Sequence, residues 1–202
     1  MRIGLLGPLA DGDEVLREAI EFLLGDVEVD LAIYLGENGE LVSERIASWM
    51  RDIVGDDPSE EAFLDRARDA ARGGDADAID RLLEGDAFLE KLRRVRVLPP
   101  PPARAVEMIA DRIILAVHDK RVLDEEDIAN AHLIVYGKST EADLRKFGHR
   151  YFLTPGPLDA ERVAVVEVER DGHVSIALFE TSGLPVWRKT MSRRNTKVNV
   201  AQ

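Results

Sequence analysis

The sequence contains no cysteine and no long apolar run in its 202 residues. Without cysteine, neither a disulfide framework nor a thiolate metal site can form. No stretch approaches the roughly 18 apolar residues that a membrane span needs, and no basic leader followed by an apolar run precedes the first predicted strand. These absences favour a cytoplasmic protein.

Positive charge is also scarce. Lysine and arginine number 27 against 39 aspartates and glutamates, which gives a formal net charge of -12. General nucleic-acid binders need basic surfaces to displace counterions, and anionic membranes attract basic segments. We therefore expect neither a nucleic-acid nor a membrane partner.

The chain begins with a strand–helix–strand pattern. Residues 2–6 form a short apolar run, helical periodicity follows from Asp13 to Gly25, and residues 29–35 form a second apolar run. A helix between two strands predicts a parallel pair with a right-handed crossover. Asp11 precedes Glu14 by three residues, which is the spacing of a capping box.

An acidic, helix-rich segment follows over residues 41–94. Between residues 52 and 90 it carries thirteen acidic residues against four arginines, yet its apolar residues keep helical spacing. We therefore predict a folded, solvated helical layer.

The remainder is rich in predicted strands. Four consecutive prolines at 99–102 can neither continue a strand nor enter a helix interior, so they predict a stiff loop. Asp171-Gly172 is a typical hairpin turn. The predicted elements are strands at 95–98, 105–109, 112–117, 133–136, 150–153, 162–170 and 173–180, a short helix at 125–129, and a basic tail over residues 183–202.

Five short pieces, in this order, resemble the calcineurin-like metallophosphoesterases, most closely the small bacterial phosphodiesterases. They are the opening strand and helix, AIYLGEN at 32–38, ILAVHDK at 114–120, LIVYGKST at 133–140 and FLTPGPL at 152–158. The resemblance implies an α/β fold, a four-layer αββα sandwich of two mixed sheets, with an enlarged helical segment. It also implies a single domain over residues 1–182.

In that family the loops after the strands hold two metal ions, which activate a hydroxide against a phosphate. Here the expected ligands are largely missing. The family's Asp-x-His is replaced by residues 8–10 (Pro-Leu-Ala), its Gly-Asp by Gly36-Glu37, and its Gly-Asn-His by the proline run. His118 matches one histidine of His-Gly-His, but Lys120 replaces the other, and Gly-His-x-His is replaced by residues 137–140.

The resemblance therefore implies a degenerate site in which Glu37 and His118 are remnants. No catalytic residue and no cofactor are assigned. Two lysines stand where cations would bind, so a second interpretation is a phosphate or nucleotide sensor. A simpler interpretation is that Lys120 and Lys138 neutralise Glu37 and Asp119. The candidate pocket residues are Asn38, Asp119, Lys120, Lys138, Ser139 and Thr140.

The leading hypothesis is a catalytically inactive phosphoesterase-fold protein that binds a protein partner as a scaffold or regulatory subunit. The retromer subunit with this fold offers a precedent through the resemblance. The acidic segment, the proline loop and the basic tail are candidate binding surfaces, and a homodimer is possible. The alternative is an active phosphoesterase that uses a divalent metal such as manganese at Glu37, Asn38, His118 and Asp119.

Overall fold

Two β-sheets pack face to face, and helices cover the outer face of each. The computed structural model describes residues 1–10, 12–55, 57, 59–74 and 76–191. The sheets are mixed, and the layers follow the predicted αββα order, so the fold class is confirmed.

The first sheet has six strands in the order β11-β10-β9-β1-β2-β3. β1 pairs parallel to β2, as the strand–helix–strand pattern predicts, and antiparallel to β9. The strands are β1 (Arg2–Leu6), β2 (Leu31–Tyr34), β3 (Val95–Val97), β9 (Arg162–Val168), β10 (Val174–Glu180) and β11 (Pro185–Thr190).

The second sheet has five strands in the order β4-β5-β6-β8-β7. β4 and β5, both predicted as strands, form a hairpin with Ile109 paired to Arg112 across a two-residue turn, and β6 runs parallel to β5 and β8. The strands are β4 (Ala105–Ile109), β5 (Arg112–Val117), β6 (Leu133–Tyr136), β7 (Asp143–Phe147) and β8 (Arg150–Thr154).

Five α-helices lie in the described residues. α1 continues directly into a π-helical turn over Phe22–Asp26, and short 3₁₀ turns occupy Lys120–Val122 and Leu158–Ala160. The helices are α1 (Asp13–Glu21), α2 (Gly39–Val54), α3 (Glu60–Gly73), α4 (Ala76–Leu92) and α5 (Glu125–Asn130). The acidic segment is therefore helical, as its periodicity predicts.

Three apolar clusters hold these layers together. The largest fills the space between the sheets and includes Leu5, Val135 and Ile176. A second lies between the first sheet and helices α1, α2 and α4, and a third lies beneath α5 on the second sheet. Because apolar burial is the dominant favourable term in folding, these clusters fix the strand ends that form the site.

Two strands were not predicted. β7 pairs with β8 across the turn at Gly148-His149, and β11 pairs with β10 although the sequence analysis places residues 183–202 in a tail. Both are edge strands with adjacent basic residues, so they lack a continuous apolar run. Trp187 nevertheless packs against the core between the sheets. Asp11, the Pro58 break and residues 192–202 lie outside the described residues.

Candidate functional site

The loops that follow β1, β2, β5 and β6 meet at one edge of the sandwich. They enclose a cavity of about 300 Å³ lined by Pro8, Leu35, Glu37, Asn38, His118 and Lys138. This is where α/β proteins commonly bind ligands, because strand carboxyl ends converge there. Four of the residues singled out from the sequence, Glu37, Asn38, His118 and Lys138, line this cavity.

Main-chain contacts bring these loops unusually close together. A Cβ atom on Gly7 would lie 1.7 Å from the carbonyl oxygen of Gly156, and one on Gly137 would lie 2.2 Å from that of Leu35. Both positions therefore require glycine for close approach of two backbones. The cavity edge is held by packed main chain.

The buried His118 joins the two sheets at this edge. Its Nδ1 lies 3.0 Å from the carbonyl oxygen of Leu35, and its Nε2 lies 3.0 Å from that of Pro99. The side chain is 4% exposed. Both ring nitrogens thus face backbone carbonyls, and a metal ion could reach neither without displacing one of them.

A second hydrogen-bonded group fixes the loop after β1. The hydroxyl of the fully buried Tyr34 accepts from the Leu9 amide at 3.0 Å and donates to Asn38 Oδ1, while Asn38 Nδ2 donates to the Leu9 carbonyl at 3.1 Å. Burial raises the pKa of the Tyr34 phenol. Asn38 therefore positions the loop and is engaged on both ends of its amide.

Asp119 lies beside the cavity in a network of cations. Arg121 donates to its carboxylate through Nε at 2.8 Å and Nη2 at 2.6 Å, and Lys138 Nζ lies 3.5 Å from Oδ2. The hydrogen bond from Arg121 is the main cause that lowers the pKa of Asp119 to about 2. Asp119 is thus a stable anion at neutral pH. Its ion pair with Lys138 agrees with the interpretation that the lysines of this site neutralise neighbouring carboxylates.

The remaining candidates lie elsewhere. Lys120 Nζ lies over the Tyr136 ring, 4.5 Å from its centroid, and does not line the cavity. Ser139 Oγ donates to the Glu141 carbonyl at 2.7 Å in a local turn, and the exposed Thr140 is also outside the lining. Two ammonium groups were expected at this cavity, but of the two lysines only Lys138 lines it.

The residues present do not fit a dinuclear metal site. No group of three or more histidine, aspartate or glutamate side chains in the described residues could hold a metal ion. Glu37 and His118 both line the cavity, but each imidazole nitrogen faces a backbone carbonyl oxygen at 3.0 Å, and a neutral ring donates a hydrogen bond from one nitrogen only. A metal ion would have to bind the lone pair of the other nitrogen, and the carbonyl oxygen opposite that nitrogen lies where the ion would bind. His118 therefore cannot ligate a metal in this arrangement unless that carbonyl moves.

Three contributors to the site were missed by the sequence analysis. Tyr34 lies in an apolar strand, and its position there is typical of a core residue. Arg121 follows Asp119 by two residues. Pro99 contributes only its carbonyl oxygen. The Asp119–Arg121 spacing was a detectable signal for a local ion pair. No sequence pattern marks a carbonyl acceptor.

Comparisons in sequence identify no family for the chain: no family model matches, and no curated protein matches. Solved structures do match. A predicted phosphoesterase from Streptococcus pneumoniae TIGR4 has 16% identity and a TM-score of 0.54, with 95% of this chain and 97% of that one covered. Vps29 from Chaetomium thermophilum has 10% identity and a TM-score of 0.54, covering 98% and 99%.

A third matching structure contains a bound metal ion. Wild-type Vps29 from Entamoeba histolytica, complexed with zinc, has 14% identity and a TM-score of 0.50, covering 95% of this chain and all of that one. At these identities the likenesses concern the fold. Because they extend over nearly the whole of each chain, they show that this chain has the metallophosphoesterase-like αββα fold.

Proposed function

We propose that this protein is a catalytically inactive member of the phosphoesterase-like fold that acts by binding a protein partner. The observation that carries the proposal is His118, whose two ring nitrogens both contact backbone carbonyls. A residue at a metal-ligand position of the fold is here used to tie the end of β2 to the proline loop.

The neighbouring substitutions support the same conclusion. Two-metal hydrolysis needs several anionic or imidazole ligands around a pair of divalent ions. At this edge Pro8 and Leu35 supply apolar surface, and Lys138 supplies an ammonium group. These groups disfavour two adjacent cations.

The fold precedent supports action through binding. The likeness includes Vps29 proteins as well as a predicted phosphoesterase, so the fold is not restricted to one use. A chain that keeps two well-packed sheets while its ligand positions hold other residues is best explained by a function that depends on its surface.

The test is metal content and hydrolysis measured on one preparation. We expect purified protein to carry no stoichiometric metal and to leave bis(p-nitrophenyl) phosphate intact with added manganese. The matched variants are Glu37→Ala and His118→Ala, with Glu44→Ala on the exposed side of α2 as control. Manganese-dependent turnover that both cavity variants abolish and Glu44→Ala retains would overturn the proposal in favour of an active phosphoesterase.

A further inference from the structure

A shallow apolar groove lies on the outer face of the second sheet, away from the cavity described above. It has a volume of about 440 Å³ and runs between β4 and α5. Its floor contains Val106, Ile113, Leu115 and Ala131, and its rim contains Arg104, Asp124, Glu126, Asp127 and Asn130. We name it the β4–α5 groove.

Two large apolar side chains are exposed along the β4 edge of this groove. Val106 is 63% exposed and Met108 is 64% exposed. They are paired with Leu115 and Ile113 in the hairpin register, so all four lie on one face of the sheet. α5, which has six residues, covers the neighbouring strands but leaves Val106 and Met108 to solvent.

The main chain of β4 is also oriented for pairing. In a hairpin with a two-residue turn, the flanking residues Ile109 and Arg112 form a hydrogen-bonded pair, and such pairs alternate with non-bonded ones. Val106 and Met108 therefore occupy non-bonded positions, whose N–H and C=O groups point away from β5. β4 is the terminal strand of its sheet, so these groups face outwards.

The other edge strands at the far side of the sandwich have different chemistry. β7 carries Arg145 and Lys146, and β11 carries Pro185, Arg188 and Lys189. Lysine, arginine and proline are typical devices that prevent an edge from pairing with another chain. β4 has no lysine, arginine or proline; its one charged residue, Glu107, is on the other face of the strand and is paired with Arg96 of β3, and its outward side chains are valine and methionine.

The charges on the rim of the β4–α5 groove indicate the charge of the partner. Three carboxylates line the groove, those of Asp124, Glu126 and Asp127, against one guanidinium in that lining, that of Arg104, which is paired with Asp127 and lies 3.7 Å from Asp124. The rim is therefore net acidic. A second copy of this chain, with net charge -12, would bring another acidic rim against it, whereas a basic segment is electrostatically complementary.

We propose that the β4–α5 groove binds an extended segment of a partner protein that carries apolar and basic residues at every second position. The segment adds a strand to β4, and its every second side chain lies on the outer face of the sheet. Two successive outer side chains, both apolar, lie beside Val106 and Met108, and the next one, a lysine or arginine, is directed towards Asp124 and Glu126. Strand addition of this kind combines main-chain hydrogen bonds for affinity with alternate side chains for specificity.

The β4–α5 groove adds a surface and a partner chemistry to the proposed function. It rests on that function only in assuming that the protein acts by binding. The two tests fail independently. Loss of peptide binding would overturn the groove assignment and leave metal content and hydrolysis unchanged, whereas manganese-dependent turnover would overturn the inactive assignment without affecting peptide affinity.

The probes are two short synthetic peptides, one with the repeat Val-Ser-Val-Ser-Lys-Ser and the other with glutamate in place of lysine, so that valine and the charged residue share one face of the strand. We expect the lysine peptide to bind the full chain and to shift the amide resonances of β4 more than those of β7 and β11. The glutamate peptide should bind about tenfold more weakly or not at all. No binding by the lysine peptide, or equal affinity for both peptides, would overturn the proposal.

Matched variants locate the contact. The double variant Val106→Ser, Met108→Ser should weaken the lysine peptide about tenfold, while Leu64→Ser on α3, also an exposed apolar residue, should not. Glu126→Lys should weaken the lysine peptide about fivefold and strengthen the glutamate peptide, whereas Glu44→Lys should change neither.

The oligomeric state of the chain tests whether a second copy occupies the groove. Sedimentation should show a monomer for the unmodified chain and for the double variant. A dimer of the unmodified chain that the double variant converts to monomer would assign the groove to a second copy and overturn the proposal.

Discussion

At the scale of single residues, His118 shows how a side chain typical of catalysis can serve structure. Its ring bridges two carbonyls that belong to different loops, and the Leu35 carbonyl has little access to water because Leu35 is fully buried. A buried acceptor that loses its donor costs free energy comparable to its desolvation.

We expect His118→Phe to lower the free energy of unfolding by about 1–3 kcal/mol, because the ring volume is kept while both polar contacts are lost. Urea denaturation monitored by circular dichroism measures the effect. The matched control is His149→Phe in the exposed β7–β8 turn, for which we expect little change. Equal stability of the two variants would contradict the structural role of His118.

Asp119 gives a pH-dependent prediction. Its pKa is lowered to about 2 in the folded protein, mainly by the hydrogen bond from Arg121, against an ordinary value of 3.8. The unfolded chain therefore binds the proton first as the pH falls, so the stabilisation is complete above about pH 4 and is lost as the pH approaches 2.

Asp119→Asn should therefore be less stable than the unmodified chain at neutral pH, and the difference should shrink as the pH falls from about 4 towards 2. Denaturation midpoints measured across this range test it. A stability difference that is constant over the whole range would show that the carboxylate charge does not contribute.

At the scale of elements, the strand ends are joined by backbone-to-backbone packing. Gly137, directly after β6, lies against the Leu35 carbonyl directly after β2, so a strand end from each sheet meets there. Side chains in the core align the sheets, and this contact closes their edge. Its geometry leaves no room for a Cβ atom.

Gly137→Ala should accordingly destabilise the protein by about 1–3 kcal/mol, the range for overpacking and backbone displacement. Gly25→Ala is the control, since a Cβ there would meet nothing within 4 Å and should be neutral or slightly stabilising. Thermal and urea unfolding of both variants give the comparison. Equal stability would contradict the close contact.

The elements also show what sequence reasoning can and cannot find. β1, β2, β5, β6, β9 and β10 have apolar runs between clear turns, so they were predicted. β7 and β11 contain no buried residue, and each carries two adjacent basic residues, which interrupt the apolar pattern on both faces of the strand. The same limitation applies to the site: missing ligands at residues 8–10 are visible in the sequence, whereas the carbonyl partners of His118 depend on loops distant in sequence.

At the scale of the whole molecule, charge is unevenly distributed. Residues 52–90 hold most of the net negative charge, and the part of this range that the structure describes lies mainly in helices α2, α3 and α4. None of the helices in the described part of the chain is long and apolar enough to cross a membrane. The molecule thus offers polyanions little electrostatic attraction.

We expect no retention of double-stranded DNA at about 0.15 M salt, because a net charge of -12 provides few cations to replace the counterions of the duplex. Fluorescence anisotropy with a labelled duplex tests this, with a basic DNA-binding protein as a positive control. Binding that weakens steeply as salt is raised would contradict the expectation.

The contact between His118 and Pro99 has a consequence for engineering a hydrolase from this chain. Introducing aspartate at position 8 and histidine at position 10 would supply two ligands, but Nε2 of His118 would still face the Pro99 carbonyl at 3.0 Å. A metal ion could bind the imidazole at Nε2 only if residues 99–102 were also rebuilt so that this carbonyl moves away. Point substitutions at positions 8 and 10 alone should therefore create no metal site that includes His118.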